Sequence, residues 1–131
     1  MNILLDTHAF LWFVDDNPRL SQPARVLIES GESQPFLSVA SLWEIAIKIS
    51  LGKLFLNQAY ETFIPHHLAL NGIELLNISL DHTSAVTVLP FHHRDPFDRM
   101  LVWQAISLGY TLVSRDRKIT ANPHAGLRVL W

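Results

Sequence analysis

Asn2-Ile3-Leu4-Leu5-Asp6-Thr7 carries an unbroken aliphatic run directly into an acid. Apolar residues without alternation read as a strand covered on both faces, which points to a parallel sheet sandwiched between helices. Asp6 or Thr7 can cap a helix over 8–14 that is apolar nearly all round, and Asp15-Asp16-Asn17-Pro18 stops it. Further along, the strand-then-helix unit repeats. Ser21 caps a helix through Ser30 with Gly31 at its C′ position, and Pro35-Phe36-Leu37-Ser38-Val39 is the second strand. Ser41-Leu42-Trp43-Glu44 has the S-x-x-E form of a capping box for a helix to about Leu51, ended by Gly52.

Residues 57–70 are helical in pattern, with Tyr60, Phe63, Ile64 and Leu68 inward and Pro65 a kink, and 73–78 is the third strand. Ser79 opens a helix to about Leu89. Asp95 at N-cap and Pro96 at the first helical position begin a long helix to Leu108. Its apolar face is Phe97, Met100, Leu101, Ala105 and Leu108, and Gly109 ends it. Thr111-Leu112-Val113 is the fourth strand, followed by Ser114-Arg115-Asp116 and a turn around Lys118, and 127–130 is the last strand. Alternating strands and helices predict an α/β domain spanning 1–131, with a mostly parallel sheet and helices on both faces.

The whole chain narrows the function. At 49% hydrophobic and 17% charged residues over 131, it is a folded chain and not a disordered one. Having no cysteine, it has no disulfide, no Cys-zinc site and no thiol nucleophile, which fits a reducing compartment. The apolar run 9–14 is too short to span a bilayer, and the start has neither a basic n-region nor a cleavage site, so a cytoplasmic protein is expected. The net charge of −2 excludes a general electrostatic nucleic-acid binder; nucleic acid would need a local basic patch, or metal ions that cancel clustered acids.

In parallel α/β sheets the ligand crevice lies beyond the carboxyl ends of the strands. Asp6 ends the first strand, Glu44 and Asp98 stand in the first turns of the helices after the second and third, and Asp116 follows the fourth by three residues. Each has an ordinary explanation: Asp6 and Asp116 as caps, Glu44 closing its box, Asp98 at N3 facing a helix dipole. Capping alone does not require all four at one edge. Four carboxylates without a counter-charge repel, and a divalent cation relieves them; all-oxygen ligation suits Mg²⁺ or Mn²⁺ and metal-assisted phosphodiester hydrolysis. Arg94, Arg99, Arg115 and Arg117, adjacent to these acids, are candidates to hold substrate phosphates.

Leu4-Leu5-Asp6-Thr7, Ser41-Leu42-Trp43-Glu44-Ile45, Asp95-Pro96-Phe97-Asp98-Arg99 and Val113-Ser114-Arg115-Asp116 together resemble a PIN domain, and more closely the VapC-type toxins of bacterial toxin–antitoxin systems. The resemblance covers essentially the whole chain. It implies a three-layer α/β/α fold, a divalent-metal-dependent endoribonuclease, an RNA substrate, a small antitoxin partner and a homodimer. By motif position it makes Asp6, Glu44, Asp98 and Asp116 the catalytic, metal-binding acids and places Ser114 where the family often has a hydroxyl, which adds Ser114 to the candidate substrate contacts; Asp95 is a cap. Two other readings put acids at strand ends: an aspartate-phosphorylated receiver or phosphatase, for which the lone Asp6 before Thr7-His8 is the wrong pattern, and a non-catalytic PIN-fold binding module. His92-His93 matches no metal-binding spacing. Trp12, Trp43, Trp103 and Trp131 read as core or subunit-contact residues and not base-stacking platforms.

Overall fold

A computed structural model describes residues 1–89, 95–117, 119 and 126–131. Within them the helices are α1 (Thr7–Val14), α2 (Gln22–Glu29), α3 (Val39–Ser50), α4 (Tyr60–Leu70), α5 (Leu80–Val86) and α6 (Pro96–Leu108). The strands are β1 (Asn2–Leu5), β2 (Gln34–Ser38), β3 (Glu74–Leu76), β4 (Thr111–Val113) and β5 (Arg128–Leu130). All neighbouring strands pair in parallel, in the order β3-β2-β1-β4-β5.

The opening run behaves as its pattern predicts. Ile3, Leu4 and Leu5 are wholly buried, because the pleat sends successive side chains into two different cores. Ile3 and Leu5 join Phe10, Ala24, Ile28, Phe63 and Ile64 under α1, α2 and α4. Leu4 and Leu112 join Leu101, Val102 and Ala105 of α6 on the opposite face. The result is the three-layer α/β/α arrangement. Its strand order also separates it from receivers, whose doubly wound sheets run 2-1-3-4-5. Here the order reverses at β1, with β2 and β3 on one side and β4 and β5 on the other, so the crevice opens between the ends of β1 and β4. Leu5 pairs with Val113 and the Asp6 N–H donates to the Val113 carbonyl at 3.1 Å, which sets Asp6 and Ser114 side by side at that crevice.

Several sequence expectations are corrected. Glu44 is not the closing acid of a capping box. Chain passes from β2 into α3 without a loop, Ser38 is the N-cap, and its hydroxyl oxygen accepts from the Ala40 N–H at 3.1 Å. Ser38 is wholly buried, so this donor has no water to turn to and the earlier serine takes the cap. Ser41 falls inside the helix, its hydroxyl buried with no hydrogen-bond partner among the described residues. Ser38→Ala is therefore expected to cost about 1 kcal/mol of stability while Ser41→Ala is neutral or slightly stabilising, measured by urea denaturation. The capping box lies instead at α5, between Ser79 and His82.

Gly31 is not a left-handed terminator: α2 leaves through Ser30 in extended conformation, and the positive-φ glycines are Gly52, Gly72, Gly109 and Gly126. α4 begins at Tyr60, three residues later than expected, α5 ends at Val86, and β3 covers only Glu74–Leu76. On α6 the buried face is Leu101, Val102 and Ala105, with Phe97 and Met100 packed against it; Leu108 is exposed.

Candidate active site

Asp6 caps α1: its carboxylate accepts from the Ala9 N–H at 2.7 Å and from the Ser114 hydroxyl, and the residue is only 6% exposed. Ser114 is wholly buried, and its oxygen accepts from the Asp116 N–H at 3.1 Å. One hydroxyl thus spaces the acid after β1 from the acid after β4. This places Ser114 out of a substrate's reach and corrects its reading as a substrate contact; it is a positioning residue.

Glu44 stands in the second turn of α3 and is 9% exposed. Its Oε1 accepts from the Thr7 hydroxyl at 2.6 Å, and its Oε2 lies 2.9 Å from the Lys48 Nζ. Asp98 is at N3 of α6, behind Asp95, whose carboxylate accepts from the Phe97 and Asp98 N–H groups at 2.8 and 3.1 Å. Asp95 therefore does what its position predicts.

The electrostatics connect the four acids. Burial pushes the Asp98 carboxyl up to about 8, helped by the negative charges of Asp95, Asp116 and Glu44 and by a hydrogen bond with Asp116. Burial also raises Asp6, with Asp116 adding to the effect and the bonds from Ser114 and Ala9 opposing it. All four acids line one cleft of about 810 Å³, together with Asp95, Thr7, His8, Trp12, Lys48, Arg115 and Arg117. Five carboxylates face three permanent cations, an excess of negative charge in a partly desolvated space. Shared lining is not a finished ion cage, however. Among the described residues no three acidic or imidazole groups are already drawn in around one point; Glu44 is turned to Thr7 and Lys48, and Asp6 to Ala9 and Ser114.

The arginines divide. Arg115 and Arg117 line the cleft, and the Arg115 guanidinium sits 4.9 Å over the Trp12 ring. Arg99 does not reach it. The residue is buried, and its guanidinium donates to the Val86 and Leu89 carbonyls at 2.8 and 3.3 Å, so its reading as a phosphate contact is corrected. Arg94, like His92 and His93, lies outside the described residues. Trp43 is not a core residue: it is 61% exposed and meets Phe97 edge-on at 5.5 Å. The sequence reading did not place Thr7, His8, Trp12 or Lys48 in the cleft. The clue to Lys48 was its i+4 spacing from Glu44; the Thr7 contact depends on α1 packing against α3.

Fold and site together define a class: an α/β/α domain with acids from four strand–helix junctions in one crevice. The profile of the PIN domain family matches residues 3–124, and the chain belongs to that family. Among curated relatives, Ribonuclease VapC22 of Mycobacterium tuberculosis is 27% identical over 136 residues, covering 98% of each protein. Similar solved structures include VapBC2 from Rickettsia felis bound to a DNA fragment from their promoter (TM-score 0.72, 17% identity, 99% of this chain and 98% of that one). DNA-bound VapBC from Salmonella typhimurium matches at TM-score 0.67 and 16% identity (99% and 97%), and a toxin–antitoxin complex from Klebsiella pneumoniae at 0.65 and 20% (98% and 96%). At those identities the likeness speaks for the fold. Among the described residues no helix is long and apolar enough to cross a membrane.

Proposed function

We propose that this chain is a divalent-metal-dependent endoribonuclease that hydrolyses RNA phosphodiester bonds as the toxin of a toxin–antitoxin pair, and that it works in the cytoplasm as a homodimer restrained by a small antitoxin. The observation that carries the nuclease reading is the convergence of Asp6, Glu44, Asp98 and Asp116, with Asp95, on one cleft, where burial and like charge push the Asp98 carboxyl up. A protein that needed only caps would have no reason to crowd like charges at this cost. Membership of the PIN family and the likeness to a protein named ribonuclease VapC22 support the same reading, and the VapBC complexes among similar folds support an antitoxin partner.

The donors suit a hard dication: carboxylate oxygens throughout, from elements rigidly fixed by the sheet. Asp6 and Asp98 are the principal ligands in this proposal, and Glu44 and Asp116 complete the set. When bound, Mg²⁺ or Mn²⁺ acidifies water and offsets charge building on the phosphodiester, so no side-chain general base is required. Ser114 holds Asp6 and Asp116 in register, while Arg115 and Arg117 face the strand's phosphates from the rim.

The test is incubation with structured and single-stranded RNAs in Mg²⁺ or Mn²⁺, with and without chelator. Cleavage that chelation abolishes is expected; no cleavage of any RNA with either metal would remove the proposal. Asp95→Asn is expected to keep cleavage within about fivefold of the parent, because Asn caps as well as Asp. An Asp95→Asn loss as deep as that of Asp98→Asn would make Asp95 a ligand.

A further inference from the structure

Lys48 lines the cleft and forms an ion pair with one of the proposed ligand acids. It sits one helical turn after Glu44 on α3, with its ammonium 2.9 Å from the Glu44 Oε2. Such i,i+4 pairs are ordinary on helix surfaces and worth only tenths of a kcal/mol there. This pair differs in two respects. Glu44 is buried and its other oxygen is already engaged by the Thr7 hydroxyl at 2.6 Å, so Lys48 completes the satisfaction of a carboxylate whose two oxygens both have partners other than the acids. Lys48 itself, about a third exposed, stands on the wall between two cavities. One is the acidic cleft; the other, of about 530 Å³, shares His8, Trp12 and Lys48 with it and continues past Lys53, Phe55 and His67.

We infer that Lys48 is an exchangeable counter-ion: it holds Glu44 aside while the acids are without a dication, and it contacts an RNA phosphate once Glu44 turns to the ion. This rests on the nuclease reading above. The chemistry follows from charge alone. Glu44 cannot give the same lone pairs to an ammonium and to a hard cation, so the two compete for it. A lysine released from that carboxylate keeps its charge and its long stem, and the nearest anion available in a substrate-filled cleft is a phosphate on the strand's path toward the second cavity.

The experiment compares wild type, Lys48→Met and Lys48→Arg, with folding checked by circular dichroism. Calorimetric titration with Mn²⁺ in the absence of RNA should show Lys48→Met binding the ion about three- to tenfold more tightly than wild type, because the competing cation is gone. Steady-state cleavage of single-stranded RNA at saturating Mn²⁺ should show KM raised by about the same factor, with kcat changed less, and Lys48→Arg should restore KM. Unchanged Mn²⁺ affinity, or unchanged KM, in Lys48→Met overturns the role given to Lys48 while leaving the nuclease intact. A wild type that neither binds Mn²⁺ nor cuts RNA removes the nuclease reading and this inference with it.

Discussion

Asp98→Asn will abolish cleavage and yet make the protein more stable at pH 8. The Asp98 carboxyl, buried beside other acids, titrates at about 8 in the folded chain, against about 4 for an ordinary aspartate once unfolded. Between those pH values the folded protein holds a proton that the unfolded one has already lost. Stability contributed by this residue therefore falls as pH rises from about 4 to about 8, and Asp6, also raised by burial, pulls in the same direction. Asparagine keeps the shape and carries no charge. The variant should gain on the order of 1–2 kcal/mol at pH 8, discounted for solvent screening of a half-buried side chain, and nothing near pH 4. That corresponds to a rise in Tm of several degrees at pH 8. The cost is catalytic: losing a principal ligand of the proposed metal site should reduce cleavage by at least about a hundredfold. Added Mn²⁺ should raise the wild-type Tm at pH 8 and do far less for the variant. Thermal melts at pH 4.5 and 8, with and without Mn²⁺, check the claim. A less stable Asp98→Asn at pH 8 would show that this carboxyl is not strained, and a variant that still cuts RNA would show that it is not functional.

This conflict between stability and activity also explains what the sequence made legible. The β1 run, Asp95-Pro96 and Gly109 each carry a local physical instruction, namely burial on both faces, a helix start and a left-handed stop, and the structure follows all three. The four acids were legible because strand order converts chain position into an edge. Ser41-Leu42-Trp43-Glu44 misled because Ser38 offers an equivalent cap three residues earlier, and only the loop-free junction of β2 with α3 decides between them. The true partners of Glu44 were hidden for a different reason. Thr7 reaches it across 37 positions of sequence, through packing of α1 on α3 that no local pattern reports. Arg99 was misread because adjacency in sequence was taken as adjacency in space. Successive helical residues turn by about 100°, so a guanidinium next to Asp98 on α6 points away from the acids.

Arg99→Met should accordingly be a stability variant and not a substrate-binding one. The guanidinium lies under the end of α5 and donates to the carbonyls of Val86 in its last turn and Leu89 just beyond it. A cation there meets the negative end of the helix dipole and satisfies acceptors that α5 leaves without intrahelical donors. Methionine fills most of the volume but donates nothing, so carbonyls beside a residue only 8% exposed lose their partner. The expected cost is about 2–4 kcal/mol, or roughly 10 °C in Tm for a chain of this length. Both bonds leave one nitrogen, Nη2, so a lysine ammonium, with three donors of its own, should recover part of this. Arg115→Met supplies the contrast. Its side chain borders the cleft and is exposed, so its unfolding free energy should stay within about 0.5 kcal/mol of wild type while KM for RNA rises. Urea denaturation and steady-state cleavage of the two variants, run side by side, separate the roles. If Arg99→Met keeps wild-type stability and loses RNA affinity, its guanidinium belongs in the cleft after all; if Arg115→Met unfolds easily and binds RNA normally, the roles of the two arginines are reversed.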